Sequence, residues 1–184
     1  EKDGEAPAVG VGAPYQELLA STKLDDIKKA RDMIEAHSGL VTPMTMMVLA
    51  IRFYDLGARD DAVFWFYAAR DRMITAIDVA QPGATMLVQA VQAMQAFNAL
   101  AGPVINGYAF CDIKKQRELR TKALTWVEAH PYEAVFLDKI PARSEDRKAL
   151  LAKSIAMLKT EVEKETAYLA DKANVEQLKS ERTK

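Results

Sequence analysis

Cysteine and histidine are the residues of this chain best able to supply a nucleophile or bind a metal, and the sequence contains few of them. They are Cys111, His37 and His130. A cysteine nucleophile needs a histidine close enough in space to take its proton. Cys111 precedes a predicted helix, where a thiolate is stabilised, but we favour a buried structural thiol. Each histidine lies at a predicted helix end, where an imidazolium suits the helix dipole, so we interpret both as capping residues.

The sequence lacks the motifs that mark common catalytic and metal sites. It contains no HExxH motif, no pair of CxxC motifs and no calcium-loop spacing. The segment Gly10-Val11-Gly12 follows no predicted strand, so it does not indicate a phosphate-binding loop. Carboxylates occur along the whole chain, and no pair stands out as a general acid and base. We therefore predict no catalytic residue, no metal and no cofactor, and a protein that is not an enzyme.

The charge of the chain offers no general attraction for nucleic acid. The formal net charge is -1, whereas nucleic-acid-binding domains carry strong basic patches. The densest basic segment spans residues 114–122, but Glu118 interrupts it and it contains no aromatic residue. Because single-strand binders combine aromatic and basic side chains, we interpret this segment as a solvent-exposed helix face. No nucleic-acid partner is predicted.

Aromatic side chains are the best candidates for a surface that binds another protein. Residues 64–67 read Phe-Trp-Phe-Tyr, and successive side chains on a helix point in different directions. We expect one or two of them to lie at a groove or interface; the alternative is a central helix buried on all sides. The segment 101–111 adds a second candidate, because ordered loops on a rigid scaffold often present contacts. The predicted partner-binding residues are Phe64, Trp65, Tyr67, Asn106, Tyr108 and Phe110.

The spacing of apolar residues predicts an all-α fold, an irregular helical bundle of about six helices. Apolar residues recur every three or four positions from residue 22 onward, which is typical of amphipathic helices. Asn106-Gly107 is a turn signal that predicts an ordered loop over 101–111. The predicted caps are Thr22, Thr42, Asp60 or Asp61, Asp112 and Ser144. Helices are predicted near 22–38, 42–56, 60–80, 84–100, 112–130 and 144–180.

The chain is predicted to be one helical domain preceded by a flexible tether. Residues 1–21 are rich in Gly, Pro and Ala and lack a helical period, whereas 22–184 form the domain, with a long C-terminal helix at about 144–180. No segment approaches the roughly 20 apolar residues that a membrane span requires. A start of this composition without Met is typical of an exported protein trimmed of its signal peptide. We expect a periplasmic or secreted location, with the cytoplasm as the alternative.

A short linker joins the second and third predicted helices and predicts an antiparallel hairpin. Small and aromatic residues occupy regular positions along it, namely Leu49, Ala50, Phe53, Ala62, Phe66 and Ala69 around Gly57. This pattern over residues 43–74 resembles one tetratricopeptide or Sel1-like repeat. The repeat's usual terminal proline is missing, and no second copy follows. The resemblance implies a repeat-like hairpin and favours protein binding as the function.

These observations together favour a non-enzymatic helical protein-binding module. One concrete form is an exported bacterial immunity or inhibitor protein that binds a secreted toxin. The first alternative is a scaffold or assembly component of an envelope or secretion system. The second is an enzyme or small-ligand binder whose site has no recognisable motif.

Overall fold

The computed structural model of the chain describes residues 12–83 and 85–182, and these ranges form a helical bundle, as predicted. The described residues contain no strand, although an isolated backbone bridge joins Ala80 and Ala142. The α-helices are α1 (Ala13–Ala20), α2 (Leu24–Ala36), α3 (Pro43–Asp55), α4 (Arg59–Val79), α5 (Thr85–Ala109), α6 (Ile113–Ala129), α7 (Arg147–Tyr168) and α8 (Lys172–Arg182). A short 3-10 helix spans Glu133–Phe136. The all-α prediction is confirmed, and the described part contains more helices than the sequence suggested.

Side-chain caps determine where several helices begin. The Thr42 hydroxyl accepts a hydrogen bond from the N–H three residues later at 3.1 Å, and the Asp112 carboxylate accepts the equivalent bond at 3.0 Å. Both caps were predicted, because a side-chain oxygen at this position satisfies a free N–H of the first turn. The cap of α7 is Asp146 instead of Ser144, with a bond of 2.9 Å. In α2 the N-cap position is occupied by Lys23 instead of Thr22, and its side chain makes no capping hydrogen bond.

A tight turn joins α3 and α4 into the antiparallel hairpin that the short linker predicted. Gly57 in this turn has a φ of 84°, a backbone conformation that favours glycine. Asp60 and Asp61 lie in the first turn of α4 and do not cap it, but their charges still suit the helix N-terminus. The inner side chains of the hairpin are fully or almost fully buried, including Ala50, Phe53, Ala62, Phe66 and Ala69. The resemblance to a tetratricopeptide or Sel1-like repeat stays a prediction.

The central helix α4 carries a fully buried charge, Arg72. Its guanidinium donates hydrogen bonds to the carbonyl oxygens of Ser38 at 2.7 Å, Val41 at 2.9 Å and His130 at 2.5 Å. It also lies 5.0 Å from the centre of the Trp126 ring. Burial lowers the pKa of Arg72 to about 10, so the side chain remains charged at neutral pH. Arg72 thereby joins the C-terminal ends of α2 and α6 to the central helix.

The prediction of a loop over 101–111 is wrong, because α5 continues to Ala109 and contains Pro103. A proline within a helix removes one backbone hydrogen bond and disfavours the helix locally. Burial opposes this cost, since Ile105 and Ala109 on the following turns are buried. Gly102 faces Phe66 of α4, and a Cβ added there would lie in ordinary van der Waals contact, 3.7 Å from Cζ of that ring. Packing of the apolar face therefore outweighs the local turn signal.

The flexible tether predicted over 1–21 is wrong for its second half. Residues 1–11 lie outside the described part of the chain, but Ala13–Ala20 form α1. This helix is held by packing, because Leu19 is only 3% exposed and belongs to the main core. The guanidinium of Arg52 also donates a hydrogen bond of 2.8 Å to the carbonyl of Ser21. A short helix with one buried leucine has too weak a period to be recognised from sequence.

The long C-terminal helix predicted at about 144–180 is interrupted. α7 ends at Tyr168 and α8 begins at Lys172. Leu169 turns into the core at 4% exposure. The Asp171 carboxylate then accepts a hydrogen bond of 2.8 Å from the N–H two residues on, which favours a new helix start.

Candidate protein-binding site

The aromatic run 64–67 lies in the first half of α4, and most of it is buried. Trp65 and Tyr67 are 1% and 4% exposed, whereas Phe64 is half-buried. The Trp65 ring meets Phe64 at 5.2 Å and Trp126 of α6 at 5.1 Å, both edge to face, a favourable geometry for aromatic pairs. The structure thus places Trp65 and Tyr67 in the core, out of reach of a partner. A central helix covered on nearly all sides was the alternative that the sequence left open.

The Tyr67 hydroxyl belongs to a polar layer inside the bundle. It donates a hydrogen bond to Oδ1 of Asn106 at 3.1 Å and accepts one from Nε2 of Gln116 at 3.2 Å. The Gln116 amide also donates to Glu165 of α7 at 2.7 Å. Burial raises the pKa of Tyr67, so its hydroxyl keeps its proton at neutral pH. Asn106, expected on a contact loop, therefore lies on a helix and supports the core.

A buried ion pair extends this layer along α4. Both terminal nitrogens of the Arg120 guanidinium donate to the carboxylate of Asp71. The Nε atom of Arg120 lies 3.6 Å from Glu165. Burial raises the pKa of Asp71, and the positive charge of Arg120 opposes this rise. These contacts join α4, α6 and α7, and they are accounted for without a ligand.

Phe64 and Tyr108 lie on two sides of Asp60, at the start of α4. The Tyr108 hydroxyl donates to Oδ1 of Asp60 at 2.8 Å, and Nζ of Lys115 lies 3.1 Å from Oδ2. Burial raises the pKa of Asp60, but the bonds to Tyr108 and Lys115 outweigh this effect and hold the pKa below its usual value. The bond to Asp60 raises the pKa of Tyr108. Phe64 lines an open cleft of about 380 Å³ beside Asp60, so the structure brings two separately predicted residues to one end of the bundle.

An apolar groove of about 330 Å³ lies between α3 and α5. α3 contributes Ile51, Tyr54 and the exposed carboxylate of Asp55 to its lining. The apolar residues on the α5 side include Phe97, Leu100 and Val104. Leu100 is 75% exposed and Val104 is 49% exposed, so two large apolar side chains at the rim of the groove are in contact with solvent. A groove lined by apolar side chains is the kind of surface into which partner helices place their anchor residues.

The outer surface of α5 beside this groove carries no charge. From Val79 to Cys111 the sequence contains no Asp, Glu, Lys, Arg or His, although charged residues make up 28% of the chain. We define the α5 face as the exposed residues of this helix with described side chains: Val88, Gln89, Gln92, Gln95, Ala96, Ala99, Leu100, Pro103 and Val104. Depletion of charge is a property of the centres of protein interfaces. This face was not predicted from the sequence, although the charge-free run was the signal that could have revealed it.

Phe110 follows the last residue of α5 and is half-buried. It lies outside the α5 face, and it does not line the α3–α5 groove. Of the six residues predicted from sequence, the structure therefore leaves Phe64, Asn106, Tyr108 and Phe110 partly accessible. None of them belongs to the apolar surface that the fold creates.

Cys111 and the histidines do not form a nucleophilic pair. Cys111 is exposed rather than buried as favoured, and its thiol donates to the carbonyl of Gly107 at 3.3 Å. His130 lies at the other end of α6, which at 1.5 Å per residue is roughly 25 Å away. His37 ends α2, next to Ser38, and Arg72 bonds the carbonyls of both Ser38 and His130. Both histidines thus lie at helix C-termini, as predicted, and far from the thiol.

Metal-binding clusters, membrane-spanning helices and basic segments are the other features that could indicate a function. Within residues 12–83 and 85–182, no group of three or more His, Cys, Asp or Glu side chains is placed to hold a metal ion. No helix of that part combines the length and apolar character needed to cross a bilayer. The basic segment 114–122 is exposed at Lys114, Lys115 and Lys122, as predicted. Arg120 is the exception, because it is buried against Asp71.

Comparison with known proteins places the chain in a family. It is 35% identical to a protein of Haemophilus influenzae over 182 residues, which cover 99% of this chain and 70% of that protein. The chain belongs to the family of this Haemophilus protein. No family model matches the chain, and no solved structure does. The relative is described only as an uncharacterized protein, so it assigns no activity to the family. Because the match covers almost the whole chain, the α3–α5 groove lies within the sequence that the family shares.

Proposed function

We propose that this protein is a non-enzymatic protein-binding module whose partner contacts the α5 face and the adjoining α3–α5 groove. The observation that carries the proposal is an exposed apolar rim, Leu100 and Val104, on a helix without any charged residue. Surface helices of globular proteins normally place charged residues on their outer side. The resemblance of the α3–α4 hairpin to a tetratricopeptide or Sel1-like repeat supports the same class of function.

The energetics favour a partner that covers this surface. Removing apolar surface from water contributes about 25 cal/mol per Å², and Leu100 at 75% exposure retains most of its surface. A single exposed leucine is ordinary in a monomer. Leu100 is joined here by Val104 at the rim of the groove, and apolar patches larger than a single residue are typical of interaction sites.

Two narrower proposals concern the identity of the partner. An inhibitor of a secreted toxin would bind one foreign protein with high affinity, whereas a scaffold or assembly component would bind copies of itself or other components. A location in the periplasm or outside the cell is part of the first proposal. Fractionating source cells and detecting the protein with an antibody would test that location.

The experiment that tests the proposed function is a comparison of two charged variants in affinity capture. Tagged wild-type protein, Leu100→Glu and Leu40→Glu are expressed in the source cell, and bound proteins are identified and quantified by mass spectrometry. Leu40 is the matched control, since it is 62% exposed and lies before α3, outside both the groove and the α5 face. We expect a stoichiometric partner with the wild type and Leu40→Glu that is lost with Leu100→Glu. A partner retained equally by all three proteins would show that it binds elsewhere.

A further inference from the structure

We infer that the open cleft beside Asp60 is a docking site for a basic residue, lysine or arginine, in a peptide segment of a partner protein. We call it the Phe64 cleft, and its lining includes Arg31, Glu35, Asp60, Asp61, Phe64 and Trp65. Its volume of about 380 Å³ lies within the roughly 300–1,000 Å³ that is usual for ligand sites. The cleft shares no lining residue with the α3–α5 groove, so the inference goes beyond the proposed function and does not depend on it.

The charge of the Phe64 cleft selects a cation. Its lining contains the guanidinium of Arg31, which donates to the Asp32 carboxylate at 2.7 and 2.9 Å. It also contains Asp60, which is bonded to Tyr108 and paired with Lys115. Even when Asp32 and Lys115 are counted with the lining, four carboxylates face two cations, a net charge of -2. A cleft lined by charge of one sign attracts ligands of the opposite sign.

Two of these carboxylates can still accept hydrogen bonds from a ligand. Glu35 of α2 and Asp61 of α4 act on Arg31 only through space. Neither makes a hydrogen bond or a close ion pair with any residue that the structure describes. Glu35 is exposed and Asp61 is half-buried, so a partner can reach both. A basic side chain in the cleft would supply the charge-assisted hydrogen bonds that these carboxylates lack within the fold.

The indole N–H of Trp65 is an independent sign of a ligand in the same cleft. Trp65 lines the cleft although it is only 1% exposed. Its Nε1–H donates to no acceptor within residues 12–83 and 85–182, and the nitrogen is not closed off from solvent. A buried tryptophan usually finds an acceptor for this N–H. The occupant should therefore carry an acceptor oxygen close to its cationic group, and the backbone carbonyl of a peptide provides one.

The Phe64 ring favours a cation that has a hydrocarbon stem. Phe64 is half-buried and is held edge to face by Trp65 at 5.2 Å and by Trp126 at 6.4 Å. Lysine and arginine pack their methylene stems against apolar surface and place their charge over aromatic rings. A basic residue in a peptide thus matches the carboxylates, the indole N–H and the ring together. An acidic segment would be repelled, and a purely apolar one would leave the carboxylates and the N–H without partners.

Nitrogen-15 NMR titration of the labelled full chain tests this inference, because its two tryptophans give separate indole N–H signals. Trp126→Phe identifies the signal of Trp65. The probe is the peptide acetyl-Ala-Arg-Ala-amide, and its neutral match carries citrulline in place of arginine. We expect a saturable shift of the Trp65 signal with the arginine peptide and none with the citrulline peptide. Propylguanidinium, which has the cation but no carbonyl, should bind more weakly than the arginine peptide.

Charge-removing variants locate the binding site. Asp61→Asn should weaken binding of the arginine peptide about two- to fivefold, the effect of losing one exposed ion pair. Asp25→Asn is the matched control, because Asp25 lies on α2 outside the cleft with its side chain 88% exposed; it should bind as the wild type does. If Asp61→Asn loses the dispersed amide spectrum of a folded protein, Glu35→Gln replaces it in the comparison.

Three results would overturn the inference. The first is an unmoved Trp65 signal, or equal shifts with the arginine and citrulline peptides, because the charge of the cleft would then select no ligand. The second is equal binding by Asp61→Asn and Asp25→Asn, which would place the peptide elsewhere. The third is equal binding of propylguanidinium and the arginine peptide, which would exclude a peptide segment as the occupant. Leu100→Glu should leave the titration unchanged, so failure of the proposed function at the α5 face is distinguishable from failure of this inference.

Discussion

Replacing Arg72 by alanine should destabilise the bundle more than any surface substitution. The Arg72 guanidinium is fully buried and is the donor for the carbonyls of Ser38, Val41 and His130. Truncation to alanine leaves these carbonyls without that donor and opens a cavity beside the Trp126 ring. The perturbation thus acts on the junction between α2, α4 and α6, far from the α5 face.

The magnitude follows from the number of bonds lost. A buried acceptor left without a donor costs about 1–3 kcal/mol. The carbonyls of Val41 and His130 lose their bond to Arg72, whereas the carbonyl of Ser38 still accepts a bond of 3.1 Å from the N–H of Val41. Local relaxation and entry of water reduce the sum, so we expect a loss of about 3–5 kcal/mol in the free energy of unfolding. Domains of this size are stable by about 5–15 kcal/mol in total. The variant should therefore lose a large fraction of its stability and unfold at a clearly lower urea concentration than the wild type.

Urea denaturation followed by circular dichroism measures this loss, with Arg70→Ala as the matched control. Arg70 is on the same helix, half-buried, and lies over the Phe66 ring at 5.5 Å. Its truncation should cost less than about 1 kcal/mol, the usual effect outside the core. If Arg72→Ala also cost less than about 1 kcal/mol, the reasoning that Arg72 joins the ends of α2 and α6 would be refuted.

Three further predictions concern the helices and the Asp60 contact. Gly102→Ala should stabilise the protein by about 0.5–1 kcal/mol in urea denaturation, since alanine favours a helix and a Cβ fits there; a loss of stability would show that α5 cannot accept it. Thr42→Ala should cost about 1 kcal/mol through loss of the α3 cap, and an unchanged midpoint would contradict this role. Asp60→Asn should lower the pKa of Tyr108, measured by carbon NMR of labelled tyrosine. Because the folded pKa of Tyr108 lies above its ordinary value of 10.0, this contact stabilises the fold below pH 10 and is lost as pH rises through the folded value; an equal loss of stability in wild type and Asp60→Asn as pH is raised through this range would contradict it.

The helices could be predicted because their signals are local. The threonine and aspartate caps at Thr42 and Asp112 and the turn at Gly57 are short-range chemistry, and the structure contains all three. The apolar stripes of α2 and α3 depend only on spacing within one helix. Such features need no knowledge of what lies across the bundle.

The errors arise where distant packing outweighs local preference. Asn106-Gly107 favours a turn, but Asn106 bonds Tyr67 on α4 and the neighbouring Ile105 is buried, so the segment stays helical. The burial of Trp65 follows from its contact with Trp126, more than fifty residues away in sequence. No spacing rule reveals such a contact. The α5 face, in contrast, is visible in the sequence as a long run without charge, although none of the predictions used this run.

The most direct test of the central claim is site-specific photo-crosslinking in source cells. The photoreactive residue benzoylphenylalanine replaces Leu100 in one strain and the control residue Leu40 in another. The account predicts a crosslinked product from position 100, with the mass of two copies if the partner is the chain itself, and none from position 40. Illumination that yields no product at position 100, or equal products at both positions, would contradict the claim that the α5 face and the α3–α5 groove bind a partner.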